Sequence, residues 1–554
     1  MVEAVSSSTR NRGSSRSSSA NTGHNDYGRK KCEALAGNSN LNGEDELQMA
    51  IGSDKNATKQ SCKVAVIGAG AAGLVAAREL QREGHEVVVY EEGEKVGGVW
   101  LYNSDVEDDP LGLDPNRCSV HSSMYASLRT NLPRELMGYL DYPFLPREGR
   151  DVRRFPRHEE VASYLQDFAE EFNLLLLVKF CTKVEYVGIY RGDGNTEADI
   201  VNDSSFKQQL LREGCEDLRE DSANLETRWV VRTRERRQAV EKERDVLNFA
   251  TGCEDQVTDV IFDAVVICNG HYSQPRVAWI PGLEKWPGKQ MHSHNYRIAE
   301  PFRDKVVVVI GNGPSGIDIS LELISVAKEV HFCAKKWDLS KDLFWPLHEG
   351  KLQCHLLVVE LVTEDGTVHF QDGISCHVDV ILHCTGYLYS FPFLDTHGIV
   401  TVENSAVGPL FEHVFPPLLA PSLSFVGLPF KVVPFPLFEL QSKWIACILS
   451  KSSSLPSTKD MMADVQSFEV RLAEEGIPKH YTHNLDSCQF EYDNWLAAQC
   501  GSEPIESWRI KMYKVAQKIR KLYPDSYRDI WDDYDLLDEA QSYLLKLKTE
   551  KHWK

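Results

Sequence analysis

The feature that most constrains this chain is a strand, glycine loop, helix and strand pattern that occurs twice. In the first copy, the apolar run VAVIG at 64–68 leads into GAGAAG at 68–73, and LVAARELQREG at 74–84 has the apolar period of an amphipathic helix. HEVVVYE at 85–91 then has the pattern of a second strand. Glycines at these positions, between a strand and a helix, predict the βαβ unit of a dinucleotide-binding α/β fold.

The residue types of the first loop fit a bound pyrophosphate. Gly68 is predicted to form the tight turn, Gly70 to let the backbone approach the phosphates, and Gly73 to let helix and strand pack closely. The helix N-terminus adds backbone amides and the positive end of the helix dipole. A carboxylate at the end of the second strand would accept hydrogen bonds from a ribose diol. The predicted binding residues are Gly68, Ala69, Gly70, Ala71, Ala72, Gly73 and Glu91.

A second copy of the pattern lies further along the chain. VVVVI at 306–310 is a continuous apolar strand, GNGPSG at 311–316 is the loop, IDISLELISVA at 317–327 is the predicted helix, and EVHFC at 329–333 is the next strand. A proline in this loop fits a helix start, because the N–H that proline lacks has no intrahelical partner in a first turn. The predicted binding residues of this loop are Gly311, Asn312, Gly313, Pro314, Ser315 and Gly316.

The two copies differ in charge where their second strands end. The first ends on Glu91 and Glu92, whereas the second ends on Ala334, Lys335 and Lys336. The second site therefore lacks the acid that would repel a 2′-phosphate, and its two lysines are candidates to receive that group. We expect the first site to take FAD or NAD and the second site to take NADP.

Two complete dinucleotide sites in one chain indicate hydride transfer between a nicotinamide and a flavin, since an enzyme that uses one nucleotide needs only one such site. A dithiol acceptor would require a C-x-x-C pair near the flavin, and none of the 14 cysteines forms one. A metal-assisted route is also disfavoured, because His292 and His294 alternate in a turn without clustered cysteines or acids to complete a ligand set. No metal is therefore expected.

Composition limits the partners and the compartment. A formal net charge of −21 without a long basic block repels phosphate backbones, so nucleic acid is not expected. No transmembrane segment is expected, because the long apolar stretch at 422–438 contains Lys431 and three prolines. The scattered cysteines and the absence of a signal-peptide core predict a cytoplasmic protein. The Ser- and Arg-rich N-terminus also resembles a plastid transit peptide, which makes the plastid the alternative.

The chain divides at composition shifts and at the two loops. Residues 1–60 are rich in Ser, Asn and Gly without a hydrophobic period, so we expect a disordered tail. An FAD-binding domain is expected over 61–270, an NADP-binding domain over 271–380, and the return to the FAD domain with C-terminal helices over 381–554. Within the charged stretch 191–256, RWVVRT is interpreted as a strand and the rest as an exposed insertion. The predicted fold class is α/β with two Rossmann-like domains, the NADP domain being inserted in the FAD domain.

Between Trp286 and Tyr296 the chain reads W-x-G-x-x-x-H-x-x-x-Y, just ahead of the second glycine loop. This pattern resembles the identifying motif of the flavin-containing monooxygenases, FxGxxxHxxx(Y/F), with Trp286 in place of the leading Phe. Baeyer–Villiger relatives carry a Trp where Tyr296 stands, so the monooxygenase branch is the better match. The order of further motifs is similar to that of plant flavin monooxygenases, above all the glucosinolate S-oxygenating group. These motifs are GAGAAG, GGVW (97–100), RTNLPRELMGY (129–139), CNGHYSQP (268–275), GNGPSG, HCTGY (383–387) and FELQSKW (438–444).

The resemblance implies roles for further residues. Val99 and Trp100 match residues that line the flavin. Asn131 matches the asparagine held near the flavin ring and the nicotinamide, where it helps to position the oxygenating intermediate. CNGHY and CTGY, the latter with Gly386, match the linker at which the chain crosses between domains. Asn131 is therefore the predicted catalytic residue.

The activity implied by the resemblance is oxygenation with FAD, NADPH and O₂. NADPH would reduce FAD, and O₂ would add at the flavin C4a to give a hydroperoxide that reacts with a soft nucleophile in a dry pocket. His292 and Tyr296 are interpreted as shaping the nicotinamide side and the interdomain connector, with proton transfer as the minor alternative. The expected small-molecule substrate is a thioether resembling a methylthioalkyl glucosinolate, or an amine. The alternatives are an N-hydroxylating or auxin-pathway type of flavin monooxygenase, an NADPH oxidase that releases hydrogen peroxide, and a nucleotide-binding redox sensor.

Overall fold

The computed structural model describes residues 59–190, 227–236, 256–335, 350–355 and 358–551. Lys336, most of the predicted tail and most of the predicted insertion lie outside these residues. The strands of the described part are β1 Lys63–Ile67, β2 Glu86–Tyr90, β3 Val178–Lys179, β4 Thr182–Tyr190, β5 Arg228–Glu235, β6 Gln256–Phe262, β7 Ala264–Ile267, β8 Gln274–Pro275, β9 Lys289–His292, β10 Val306–Ile310, β11 Glu329–Cys333, β12 Leu352–His355, β13 Val359–Val362, β14 Thr367–Phe370, β15 Ser375–His377, β16 Val380–His383, β17 Tyr387–Leu388, β18 Leu394–Asp395, β19 Thr401–Glu403, β20 Ala406–Gly408 and β21 Leu423–Phe425. Its α-helices are α1 Ala71–Arg82, α2 Arg134–Met137, α3 His158–Glu171, α4 Pro314–Leu323, α5 Pro434–Leu449, α6 Thr458–Glu474, α7 Gln489–Gln499, α8 Ser507–Leu522 and α9 Tyr534–Lys551.

The first sheet is parallel and has the strand order β21-β7-β1-β2-β3. Its edge strand β21 comes from the C-terminal region and pairs with β7 through Ser424↔Val266. The chain therefore leaves this sheet after β7 and returns to it after the second sheet is complete. The first glycine loop follows the central strand β1, at the carboxyl edge where ligands bind in sheets of this kind.

The second sheet is also parallel, in the order β12-β11-β10-β16-β9. The second glycine loop follows its central strand β10, and Lys335 follows β11 at the same edge. All strands of this sheet lie between β7 and β21 in sequence, so one sheet is inserted in the other. The predicted fold class, α/β with two Rossmann-like units of which the second is inserted in the first, is confirmed.

Each parallel sheet is buried on both faces. Alternate residues of β1 pack against helix α1 on one face and against the sheet that contains β4, β5 and β6 on the other. Residues of β10 pack in the same way against α4 and against the small antiparallel sheet β13-β14-β15. Strands without a solvated face need apolar side chains at every position, which explains the runs VAVI and VVVVI.

The observed element boundaries differ slightly from the predicted ones. Strands β10 and β11 match the prediction, and RWVVRT forms the predicted strand within β5. The first helix begins earlier than its apolar period predicts, at Ala71 inside the glycine loop, whereas the second begins at Pro314, the proline that fits a helix start. Small residues carry no apolar period, so the pattern hides a first turn that the loop itself forms. The early start places the helix amides directly on the loop.

The two chain crossings between the sheets lie side by side. Strands β8 and β17 pair in antiparallel fashion through Tyr387↔Pro275 and Leu388↔Gln274. The linker glycines Gly270 and Gly386 have φ values of +72° and +82°, a left-handed conformation that favours glycine. The crossings therefore form a hydrogen-bonded connector rather than two independent loops.

The C-terminal helices complete the core of the first unit. Helix α5 packs against α1, and Arg78 in α1 pairs with the fully buried Glu439 in α5 at 3.3 Å. Across the described ranges, we find no helix with the length and apolar character needed to span a membrane.

Candidate functional site

Both glycine loops open into one large cleft. Its volume is about 3640 Å³, which exceeds the roughly 300–1,000 Å³ typical of a pocket for one small ligand. The predicted residues that line the cleft are Gly68, Gly70, Ala71, Ala72, Glu91, Val99, Trp100, Asn131, Gly311, Asn312, Gly313, Pro314, Ser315, Lys335 and Gly386. Ala69, Gly73 and Gly316 do not line it, and Lys336 lies outside the described residues.

The last glycine of each loop is required by contacts within the protein. A Cβ on Gly73 would lie 1.8 Å from the carbonyl oxygen of Gly68, and a Cβ on Gly316 would lie 1.8 Å from that of Gly311. No side chain fits at either position, because the obstructing atom belongs to the backbone in both cases. The two loops therefore repeat the close contact between helix and strand that the glycine pattern predicts.

At the middle position of each loop, no contact within the protein requires a glycine. Gly70 has a φ of −78° and Gly313 a φ of −69°, values that any residue can adopt. A Cβ on Gly313 would meet no protein atom within 4 Å, and a Cβ on Gly70 would lie 3.5 Å from the Cα of Gly98, an ordinary contact. Both glycines face the cleft at a helix N-terminus, where amides and the helix dipole favour an anion. Because Gly70 and Gly313 have no side chain, the space beside each helix N-terminus is free for a pyrophosphate, so the loops fit FAD and NADP.

Glu91 fastens the end of β2 to the first loop. Its carboxylate accepts hydrogen bonds from the backbone amides of Ala69 and Gly93, each at 2.8 Å. A carboxylate has about four acceptor positions, so these two bonds leave capacity for a ribose hydroxyl on the cleft side. The contact with ribose stays a prediction.

The GGVW segment lies directly against the first loop. The amide of Gly97 donates to the carbonyl of Ala69 at 3.0 Å, and a Cβ on Gly98 would lie 2.9 Å from the Cα of Gly70. A short 3₁₀ turn, Gly98–Trp100, then presents Val99 and Trp100 to the cleft. Both residues therefore lie in the cleft wall beside the first loop, and their contact with a flavin stays a prediction.

Asn131 lines the cleft on a loop that two charged side chains, Arg528 and Asp318, hold in place. The Arg528 guanidinium donates to the carbonyls of Thr130 and Arg129, at 2.9 and 3.4 Å. The same guanidinium pairs with both carboxylate oxygens of Asp318 in α4, at 3.1 and 2.6 Å. The loop that carries Asn131 is thus tied to the helix of the second glycine loop. The Asn131 amide makes no hydrogen bond within the described residues, so its donors are available to a ligand in the cleft.

The stretch from Trp286 to Tyr296 joins the second sheet to the connector. Gly288 lies under the Trp286 indole, because a Cβ there would come within 2.2 Å of the ring. His292 is fully buried, accepts from the amide of His294 at 3.0 Å through Nδ1, and donates from Nε2 to the carbonyl of Gly386 at 3.0 Å. Burial lowers the pKa of His292 to about 3, so the ring is neutral at physiological pH. His292 does not line the cleft, so the structure provides its connector contact and no contact on the nicotinamide side.

Two basic residues, His294 within this motif and Arg297 directly after it, anchor the segment that follows Trp100. His294 contacts Glu107 at 3.2 Å, and Glu107 also accepts from Arg117 at 2.7 Å; the two basic partners hold the pKa of Glu107 below its usual range despite its burial. Arg297 is buried and donates five hydrogen bonds to backbone carbonyls. These carbonyls belong to Asn103, Asp105, Ser122, His294 and Tyr296, at 2.6, 2.9, 3.1, 2.6 and 3.1 Å. One side chain thereby fixes part of the cleft wall to the second unit.

Replacing Arg297 with methionine is expected to lower the free energy of unfolding by about 2–4 kcal/mol, because several buried carbonyls lose their charged donor. Chemical denaturation followed by tryptophan fluorescence measures the change. Arg303→Met is the matched control, since Arg303 is 54% exposed and pairs only with the exposed Glu300. Equal stability losses in both variants would contradict the anchoring role of Arg297.

The sequence did not single out Arg528, Asp318 or Arg297. Arg528 and Asp318 lie 210 positions apart, and no spacing or periodicity connects residues at such a separation. Arg297 offered a weak signal, because it directly follows the Tyr296 of the motif. Basic side chains that bind backbone carbonyls have no sequence signature of their own.

Comparison with a protein-family model gives a match over most of the chain. The model is described as flavin-binding monooxygenase-like, and it matches residues 61–209, 231–345 and 335–518. A curated relative from Arabidopsis thaliana, flavin-containing monooxygenase FMO GS-OX-like 4, is 50% identical over 485 residues, which cover 87% of this chain and 96% of the relative. Another, FMO GS-OX5 from the same plant, is 48% identical over 492 residues, covering 88% and 95%.

A solved structure shares the architecture over nearly the same span. The S-allyl-L-cysteine S-oxygenase from Allium sativum superposes with a TM-score of 0.76 at 48% identity, covering 88% of this chain and 100% of that protein. Sequence and structure comparisons therefore agree on one family and extend across both glycine loops.

Proposed function

Because this chain belongs to the flavin-binding monooxygenase-like family, we propose that it transfers one oxygen atom of O₂ to the sulfur of a small thioether. The chain is an NADPH-dependent FAD monooxygenase. The observation that carries the proposal is the single cleft lined by both glycine loops and by Asn131. A nicotinamide and a substrate must each reach the flavin, and one shared cleft permits both.

The relative with a solved structure supports a thioether. That protein is named an S-oxygenase of S-allyl-L-cysteine, a small molecule whose sulfur carries two carbon substituents, and it shares 48% identity with this chain. The cleft wall fits such a molecule, because Tyr272 and Tyr387 meet edge to face at 5.5 Å and both line it. Aromatic rings make favourable contacts with divalent sulfur. A methylthioalkyl compound of the kind expected from the sequence belongs to this class.

Bound FAD would supply the redox and oxygen chemistry, and NADPH would supply the two electrons that, with protons, reduce the second oxygen atom of O₂ to water. The chain's own residues bind and orient. The two glycine loops receive the pyrophosphates, and Val99 and Trp100 contact the flavin side of the cleft. Asn131 offers two N–H donors to an oxygen atom held there, and Arg528 keeps its loop in place. No acid–base pair is required, because the thioether sulfur needs no proton removed.

The proposed division into domains follows the sheets. We assign 61–270 and 381–554 to FAD binding, which the pairing of β21 with β7 supports. We assign 271–380 to NADP binding, supported by the parallel sheet that runs from β9 to β16 and ends at His383. Within the charged stretch 191–256, strand β5 belongs to the core, with Trp229 and Val231 fully buried, and the rest stays an expected exposed insertion.

The proposed reaction is tested with labelled oxygen. The FAD-loaded protein is incubated with NADPH and ¹⁸O₂, and with a thioether or a tertiary amine in separate reactions. We expect the thioether to gain one ¹⁸O atom, with one NADPH consumed per product, and the amine to react more slowly, because the proposed substrate is a thioether. Mass spectrometry of the product measures the label. Label from water, or oxygenation of the amine alone, would overturn the proposal.

A further inference from the structure

Arg276 lies beside the second glycine loop. Its Nε donates to the carbonyl of Thr385 at 3.1 Å, and its backbone amide donates to the carbonyl of Gly386 at 3.0 Å. Thr385 follows Cys384, whose carbonyl oxygen a Cβ on Gly311 would approach to 2.4 Å. The connector therefore places the Arg276 guanidinium at the edge of the second sheet where the second glycine loop begins.

Two more basic side chains lie near Arg276. Lys335 follows β11 at the same edge, and His480 comes from the short turn Lys479–Tyr481 of the C-terminal region. Burial and the nearby positive charges of Arg276 and Lys335 lower the pKa of His480. All three side chains line the cleft. Three separate segments of the chain thus bring basic groups within electrostatic reach of one another.

The described part of the structure places no carboxylate in an ion pair with any of these three groups. Two other cations of the same cleft wall are paired: Lys183 contacts Glu92 at 3.4 Å, and Lys431 contacts Asp486 at 3.8 Å. Arg276 and Lys335 are two cations that converge without an acid and therefore repel one another, and a bound anion removes that cost, with the His480 ring beside them as a further hydrogen-bonding group. The convergence of Arg276 and Lys335 at the edge of the second sheet, without a paired acid, points to an anionic ligand.

We propose that Arg276, together with Lys335 and His480, binds the 2′-phosphate of NADPH and makes Arg276 a determinant of the preference for NADPH over NADH. The 2′-phosphate of a dinucleotide lies beyond the end of the second strand of its sheet, which is where Lys335 stands. Arginine adds a planar fork that binds two phosphate oxygens at once. Because His480 belongs to the C-terminal region, the bound phosphate joins that region to the second sheet.

The test measures binding rather than turnover. The FAD-loaded wild type and Arg276→Gln are titrated by calorimetry with NADP⁺ and with NAD⁺. We expect the substitution to weaken NADP⁺ binding about tenfold to a hundredfold, the usual effect of losing a charged hydrogen bond, and to leave NAD⁺ binding unchanged. Arg276→Lys keeps the charge without the fork and is expected to lose less. Lys431→Gln is the control, because it removes a paired cation from the same wall and should alter neither affinity.

Three results would overturn the assignment. Equal weakening of NADP⁺ and NAD⁺ binding would place Arg276 at a group that the two nucleotides share. A second contradicting result is an unchanged NADP⁺ affinity together with a KM that rises for a thioether carrying a carboxylate and not for a neutral thioether. Arg276 would then bind the carboxylate of the substrate rather than the 2′-phosphate. An unchanged NADP⁺ affinity in both Arg276 variants, without any substrate effect, would remove Arg276 from anion binding. If Arg276→Gln does not retain FAD, the Arg276→Lys titration decides by the same criteria.

Discussion

Replacing Asn131 with leucine is expected to lower the rate of substrate oxygenation about a hundredfold while NADPH oxidation continues, with hydrogen peroxide released instead of product. Leucine has nearly the size of asparagine but no N–H donor, so the change removes hydrogen bonding to an oxygen atom in the cleft. Loss of one donor aimed at a developing charge typically costs about 100- to 1,000-fold. The Asn131 loop should keep its position, because Arg528 binds its backbone carbonyls and not the Asn131 side chain.

Parallel assays of NADPH, sulfoxide and peroxide measure this effect on protein with matched FAD content. Asn116→Leu is the control, since Asn116 is exposed on a loop and does not line the cleft. A proportional fall of NADPH oxidation and of product would mean that Asn131 acts in flavin reduction or binding. Unchanged product formation would remove Asn131 from the oxygenation step.

Alanine substitutions in the first glycine loop are expected to give the second large effect. Two glycines of the same loop should respond differently, one by loss of folding and the other by loss of FAD binding. Gly73→Ala is expected to prevent formation of a folded, FAD-containing protein, because the added Cβ would lie 1.8 Å from a backbone oxygen. Gly70→Ala is expected to leave the fold intact and to weaken FAD binding at least tenfold, because its Cβ would enter the space that fits a pyrophosphate. Soluble yield, thermal unfolding and the ratio of FAD to protein separate the two outcomes.

The second loop supplies the matched control for this pair. Gly313→Ala should retain FAD and lose affinity for NADP⁺, since its Cβ would meet no protein atom and would project into the cleft. Gly316→Ala should behave like Gly73→Ala, because its Cβ would meet the Gly311 oxygen at the same distance of 1.8 Å. Equal losses of folded protein for Gly70→Ala and Gly73→Ala would contradict the distinction between packing and ligand glycines.

The fold was largely predictable from local pattern. VAVIG and VVVVI have no polar position, which only a strand buried on both faces tolerates, and the glycine spacing after each run fixes the turn and the helix. The apolar period predicts the first helix from 74, later than its observed start at Ala71, because the first turn consists of small residues. The proline signal predicts the start of the second helix correctly, at Pro314. The pattern therefore determines the type of each element better than its ends.

The candidate site was predictable only where a motif carries it. Both loops, Val99, Trp100 and Asn131 were named from the sequence and line one cleft. Arg528 was not named, because its partners on the Asn131 loop and on α4 lie about 400 and 210 positions away, and only folding brings them together. His292 and Tyr296 are expected to shape the nicotinamide side and the connector; the His292 ring bonds to the carbonyl of Gly386 in the connector and does not line the cleft. A buried histidine bonded to a carbonyl and a ligand histidine have the same sequence pattern.

The central claim is that NADPH and a thioether meet the same FAD. Anaerobic mixing of the FAD-loaded protein with NADPH in a stopped-flow spectrometer tests it, followed by mixing with O₂ in the presence of a methylthio compound. We predict that NADPH bleaches the flavin absorbance, and that one equivalent of sulfoxide per flavin appears after O₂ is added, with little peroxide. A flavin that NADPH does not bleach, or stoichiometric peroxide without sulfoxide, would contradict the account.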